Sequence, residues 1–143
     1  MPLNLISDQA LRHLSCPTSL LILTELGLLA HFAGAFVPIE GRRLYDAYLG
    51  GLRFDNYVHL LNAFTAGALI DHFLQPGLRA RPLIVAGLVL GAGAAVEMIE
   101  YLAFLTVPDN GVGGYENNMQ DLVMNLAGVT LFLAFQRAAA RQG

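Results

Sequence analysis

The chain has 143 residues, of which 55% are hydrophobic and only 13% charged, a balance outside that of ordinary soluble domains. Its net charge is −3, it contains no lysine, and its eight basic residues are scattered arginines, which leaves no basic patch for a nucleic-acid partner. One cysteine, Cys16, excludes an intrachain disulfide and a cysteine-rich metal framework.

Taken in chain order, the first segment is MPLNLISDQALRHLSC. It lacks the basic start and unbroken apolar core of a cleaved signal, so it is expected to be retained. Leu3, Ile6, Ala10 and Leu14 recur at helical spacing with Asn4, Asp8 and Arg12 between them, which predicts a short interfacial helix over residues 1–16. Four apolar stretches follow, over about 18–37, 54–74, 82–106 and 119–135. Each is close to the roughly 20 residues needed to cross a hydrocarbon core of about 30 Å. Pro17 and Pro38 bound the first, Pro76-Gly77 follows the second, Pro82 opens the third, and Pro108-Asp109-Asn110-Gly111 is a turn signal after it. The expected fold is all-α: one integral membrane bundle of four transmembrane helices covering residues 1–143. Small residues four apart, Ala30 with Gly34, Ala63 with Gly67 and Gly87 with Gly91, are candidates for close helix approach.

Four spans put both termini on one side, with Arg12, Arg79, Arg81, Arg137 and Arg141. Arg42, Arg43 and Arg53 fall on the other. The arginine bias predicts a multi-pass membrane protein with cytoplasmic termini, and loops 38–53 and 107–118 on the outer side. The second loop, VPDNGVGGYENN, has the glycines of a segment able to act as a lid.

Charged side chains within a span cost about 2.5–3.5 kcal/mol each by insertion scales, so each one calls for a reason. Asp55, His59, Asn62 and Ala66 form one stripe of the second helix. Glu97 and Glu100 share a turn of the third, and Asn118, Asp121, Asn125 and Gly128 form a stripe of the fourth. His31 lies between Gly27 and Gly34 on the first. Counted from the outer ends of the helices at about 1.5 Å per residue, His31, His59, Asn62, Glu97, Glu100 and Asn125 lie at one level, roughly 8–14 Å deep. Asp55 and Asp121 lie nearer the mouth, where an acid also serves as a helix N-terminal stabiliser. Two acids in one turn cannot both ionise cheaply without a cation, a basic partner or a shared proton.

The runs FDNYVHLLNAF, VEMIEYLAF and NNMQDLVMNLAGV, within residues 54–130, resemble the YjdF-type family of bacterial inner membrane proteins and, more distantly, the VanZ-like family. The resemblance rests on Asp55 and His59, on Glu97 and Glu100, and on Asp121, Asn125 and Gly128. The VanZ-like pattern has Gln where this chain has Glu100, and an Arg before the final Asp that this loop lacks. The resemblance implies a membrane bundle with these residues at its site, and does not imply a reaction.

Three functions fit this inventory. The first is a metal-dependent enzyme acting on a lipid or lipid-linked substrate. His59, Glu97, Glu100 and Asp121 would hold Zn, Mn, Fe or Mg, with Glu97, Glu100 and Asp55 as catalytic carboxylates and Asn62, Asn125 and His31 toward the substrate. The second is a proton- or cation-coupled transporter or channel, for which the apolar inner halves of helices three and four offer few stepping stones. The third is a noncatalytic membrane partner in which the polar cluster fixes helix packing. The lipid bilayer is the expected partner of all three, and each is compatible with an oligomer.

Overall fold

The computed structural model describes residues 16–74, 82–108 and 110–142. The expected interfacial helix over 1–16, apart from Cys16, lies outside the described residues, as do Arg12, Arg79 and Arg81. Among the described residues there are four long helices: α1 (Thr18–Phe36), α2 (Phe54–Phe73), α3 (Pro82–Thr106) and α4 (Tyr115–Ala140). α1, α3 and α4 are long and apolar enough to cross a membrane. α2 has 20 residues, which matches a span in length, but Asp55, Asn56, His59, Asn62, Asp71 and His72 make it less clearly one by composition.

Packing compensates for that polarity. α2 is the central helix: it packs most extensively on α4 and also on α1 and α3, while α3 packs on α4. Its polar stripe is thereby covered by protein, and the exposed large side chains Leu29, Phe32, Leu83, Ile99, Leu105 and Phe135 belong to the outer three helices. This suits a bundle solvated by lipid, where polar groups face one another and apolar groups face out.

The small residues divide sharply by what they face. A Cβ at Gly128 would lie 2.3 Å from the Leu60 carbonyl oxygen, so the α2–α4 crossing depends on its absence. Gly67 admits the Phe132 ring, and Gly34 admits the Tyr45 ring from the following loop. Gly87 and Gly91, expected to allow a close helix approach, have nothing within 4 Å of a Cβ added there. Below the polar stripe, Ala63, Val89 and Val129 form an apolar core with Ala66, Ile70, Ala86 and Leu90 packed against it.

Residues 38–53 form two short antiparallel hairpins with a 3-10 turn between them. β1 (Pro38–Ile39) pairs with β2 (Arg42–Arg43), and β3 (Tyr48–Leu49) pairs with β4 (Leu52–Arg53), with the turn at Leu44–Asp46. The two-residue connections Glu40-Gly41 and Gly50-Gly51 all have positive φ, as tight hairpin turns require. α4 begins four residues before the apolar stretch that marks it in the sequence. Its first turn is the polar Tyr115–Asn118, which hydropathy does not register.

Candidate functional site

His59 is the hub, and the two faces of its ring meet different partners. On the Nε2 side are Asp55 Oδ1 at 3.7 Å and Asp121 Oδ2 at 3.9 Å. On the Nδ1 side are Asn125 Oδ1 at 3.4 Å and Glu97 Oε1 at 3.5 Å. α2 supplies His59 and Asp55 from consecutive turns, α4 supplies Asp121 and Asn125 in the same way, and α3 supplies Glu97.

Each acid is held by a second set of groups. Arg53, at the N-cap of α2, donates from Nη2 to Asp55 Oδ2 at 2.6 Å, leaving Oδ1 toward His59. Asp121 is fully buried, with relative exposure 0%. It accepts from Asn56 Nδ2 at 3.3 Å and from Asn117 Nδ2 at 2.6 Å. Asn117 also reaches Asp55 Oδ2 at 3.5 Å, bridging the two carboxylates. Asn118 Nδ2 donates to both the side chain and the backbone carbonyl of Glu97, at 2.9 Å each. Glu97 Oε1, buried with that residue, has no hydrogen-bond partner among the described residues.

Asp55, His59 and Asp121 each offer one ligand atom, and these atoms lie within 4.8 Å of one another, a group that can hold a metal ion. Of the four residues expected as metal ligands, His59 and Asp121 are in this group, and Glu97 and Glu100 are not. Asp55 joins His59 and Asp121 on the Nε2 side, Glu97 stands behind the ring, and Glu100 lines the neighbouring cavities without a hydrogen bond to a described residue. Asp121 is also not a helix-start stabiliser: α4 begins at Tyr115, which moves Asp121 into the helix interior.

The remaining expected residues surround this group. His31 lines the cavity above it and shares a 2.5 Å hydrogen bond between its Nδ1 and the Tyr45 hydroxyl. Burial raises the Tyr45 pKa above its ordinary value, and the Asp55 and Glu100 carboxylates add to that, so the phenol stays protonated. Asn62 sits lower, with its Oδ1 against Gly27 of α1. Asn125 is set against Gly93 of α3, where a Cβ would lie 2.7 Å from its amide nitrogen.

A cavity of about 400 Å³ opens above the group on the hairpin side, lined by His31, Tyr45, Arg53, Asp55, His59 and Glu100 among others. Asn110, Gly111, Val112 and Gly113 of the loop before α4 form part of its wall. Asn110 holds that loop by donating to the carbonyls of Ala103 and Val107 and accepting from the Val112 amide.

Tyr45, Arg53, Asn56 and Asn117 were not among the residues expected from sequence. Asn117 lies four residues before Asp121 and so shares its stripe. Asn56 lies three after Arg53, whose backbone N–H it caps at 3.0 Å. Those spacings were readable. Tyr45 had no such signal, because the turn that carries it is defined by tertiary contacts.

A family model described as "Predicted membrane protein (DUF2238)" matches residues 5–142. The chain belongs to that family. The match covers all four helices and the loops 38–53 and 107–114, so the hairpins and the turn carrying Tyr45 fall within the family's extent. Searches of curated proteins and of solved structures gave no match.

Proposed function

We propose that this protein is a metal-dependent enzyme of the cell inner membrane that acts on a lipid or lipid-linked substrate from the outer face. The observation that carries the proposal is the convergence of His59 Nε2 with one oxygen each of Asp55 and Asp121, at the floor of a cavity open on the hairpin side. An imidazole with two carboxylates suits Zn, Mn, Fe or Mg. The Nε2 separations are 3.7 and 3.9 Å and the three ligand atoms lie within 4.8 Å of one another, so an ion with the roughly 3.4 Å edges of a tetrahedral shell of about 2.1 Å radius would draw the side chains inward.

The surroundings of the three ligands fit a metal site as well. Glu97 and Asn125 on Nδ1 fix the ring so that Nε2 faces the two acids, the support that metal-binding histidines ordinarily have. Arg53 holds Asp55 by its other oxygen, and Asn56 and Asn117 hold Asp121. A divalent ion bound there would supply Lewis-acid polarisation of an ester or phosphoryl group. Glu100, exposed to the cavity and unpaired among the described residues, is the carboxylate available to take a proton from water. His31, its Nδ1 occupied by the Tyr45 hydroxyl, presents Nε2–H as a donor to a substrate oxygen.

The transport reading has less support. The apolar core of Ala63, Val89 and Val129 lies directly below the cluster, where a cation pathway would need polar groups. The packing reading leaves Glu100 unexplained, since it lines both cavities without a hydrogen bond to a described residue. Within the matched family, the YjdF-type pattern of Asp55, His59, Glu97, Glu100, Asp121 and Asn125 is the finer placement we favour, with both termini cytoplasmic.

The test is lipid turnover. Vesicles of bacterial polar lipid containing the purified protein, supplied in turn with Zn, Mn, Fe or Mg, are followed by lipid mass spectrometry beside Asp121→Asn. Loss of one lipid class and gain of its cleavage product, with a metal and only in wild type, is the expected result. Identical lipid profiles for wild type and variant under every metal would refute the proposal for membrane lipids of that source.

A further inference from the structure

A second cavity adjoins the first and differs from it in kind. It has a volume of about 240 Å³, and most of its exposed wall is apolar, from Ala63, Ala66, Val89, Ala92 and Val96, although Asn62, Glu97 and Asn125 also line it. The two cavities share His31, His59 and Glu100, so the apolar space opens directly onto the candidate site. Its walls are α2 and α3, with His31 of α1 at the upper end and Asn125 of α4 behind. α3 is long and apolar enough to cross a membrane, and Ala92 and Val96 of the lining are exposed, so the groove is open at the depth of hydrocarbon.

From Glu100 at the upper end to Val89 at the lower end is eleven residues along α3, about 16 Å at about 1.5 Å per residue. The ends also differ in chemistry. The upper end carries His31, His59 and Glu100, and the lower end rests on the buried apolar core at Ala63 and Val89. An apolar furrow facing lipid is filled by hydrocarbon in preference to water.

We propose that the groove between α2 and α3 seats one hydrocarbon chain of a membrane amphiphile whose ester or phosphoester head lies among His31, His59 and Glu100. The substrate therefore enters sideways from the outer leaflet, chain along the groove and head at the ion-binding group. This rests on the enzyme reading for the fate of the head, but the seat for the chain is a property of the groove itself. Arg43 and Arg53 of the outer cavity are already paired with Asp46 and Asp55, so attraction for an anionic head is left to the ion.

The experiment uses the full chain in vesicles of dimyristoylphosphatidylcholine containing a small fraction of phosphatidylglycerol with a diazirine midway along one acyl chain. After photolysis, adducts are mapped by mass spectrometry, and metal content is measured on the same preparation. The expected result is strong labelling of Ala66, Val89 and Val96, with Val89 labelled although only 4% of it is exposed. Ala92→Phe, which fills the groove from an exposed position, lowers those adducts to background and leaves those on outward-facing Leu88, Ile99 and Leu105 unchanged. Labelling of the wild type in proportion to exposure, with Val89 bare, would overturn the proposal, as would a crosslink placing a second copy of the chain in the groove. Groove adducts on metal-free protein would uphold the chain seat and count against the metal enzyme. Metal without groove adducts would do the reverse.

Discussion

His59 is the side chain whose two ring nitrogens divide the site. Nδ1 faces Glu97 and Asn125, and Nε2 faces Asp55 and Asp121, so the first pair orients the ring and the second shares whatever binds. His59→Ala is expected to abolish metal binding outright. Glu97→Gln keeps the ligands and removes a charge behind the ring, and should weaken binding by about 10–100-fold in a chelator competition. Equal losses in the two variants would mean that Glu97 is itself a ligand. Tyr45 makes a separate residue-scale claim. Burial raises its folded pKa above the ordinary tyrosine value of about 10, so the folded state holds a proton that the unfolded state gives up, and stability falls as pH rises past about 10. The chain has no lysine to obscure this range. Tyr45→Phe should flatten that loss in unfolding measurements across alkaline pH, and an unchanged slope would sever the hydroxyl from the effect.

At the scale of elements, the α2–α4 crossing carries the site, because Asp55, His59, Asp121 and Asn125 all come from it. Gly128 permits that crossing, and Gly128→Ala is expected to cost about 1–3 kcal/mol because its Cβ would meet a backbone carbonyl and not a side chain able to move. Gly87→Ala, facing open space, should cost nothing and can gain up to about 1 kcal/mol from helix propensity. Thermal unfolding of the two variants in one detergent separates them, and equal losses would contradict the packing described.

The same elements show what was legible in the sequence. The stripes Asp55/His59/Asn62 and Asp121/Asn125/Gly128 were readable because helical spacing alone puts their members on one face. Their meeting at one level followed from the span boundaries. What spacing could not give was rotation of one helix against another, which decides that Asp55 rather than Glu97 shares the Nε2 side with Asp121. Nor could it tell Gly128, which faces a backbone, from Gly87, which faces nothing. The hairpins over 38–53 were missed because strands of two residues leave no periodicity to read, although Glu40-Gly41 and Gly50-Gly51 are turn signals. The start of α4 was placed late because the Tyr115–Asn118 turn is polar yet helical.

For the whole molecule, the hairpins, the polar cavity and the Asp55/His59/Asp121 group lie together above an apolar core, and apolar side chains cover the outer helices. That shape suits a pocket open to one side better than a conduit. With cytoplasmic termini, Cys16 and a cysteine introduced as Asn110→Cys in a Cys16→Ser background lie on opposite sides of the membrane. An impermeant maleimide added to intact spheroplasts should label only the latter. The reverse pattern would invert the topology and move the site to the cytoplasmic face.

The claim on which the rest depends is that Asp55, His59 and Asp121 hold a divalent ion. It is tested most directly by elemental analysis and metal titration of the chain purified in mild detergent, beside Asp121→Asn of equal helicity. About one Zn, Mn, Fe or Mg per chain in the wild type, with binding lost or at least tenfold weaker in the variant, is the result predicted. A folded wild-type protein that neither carries nor takes up any of these ions, or a variant that binds them equally well, would contradict it.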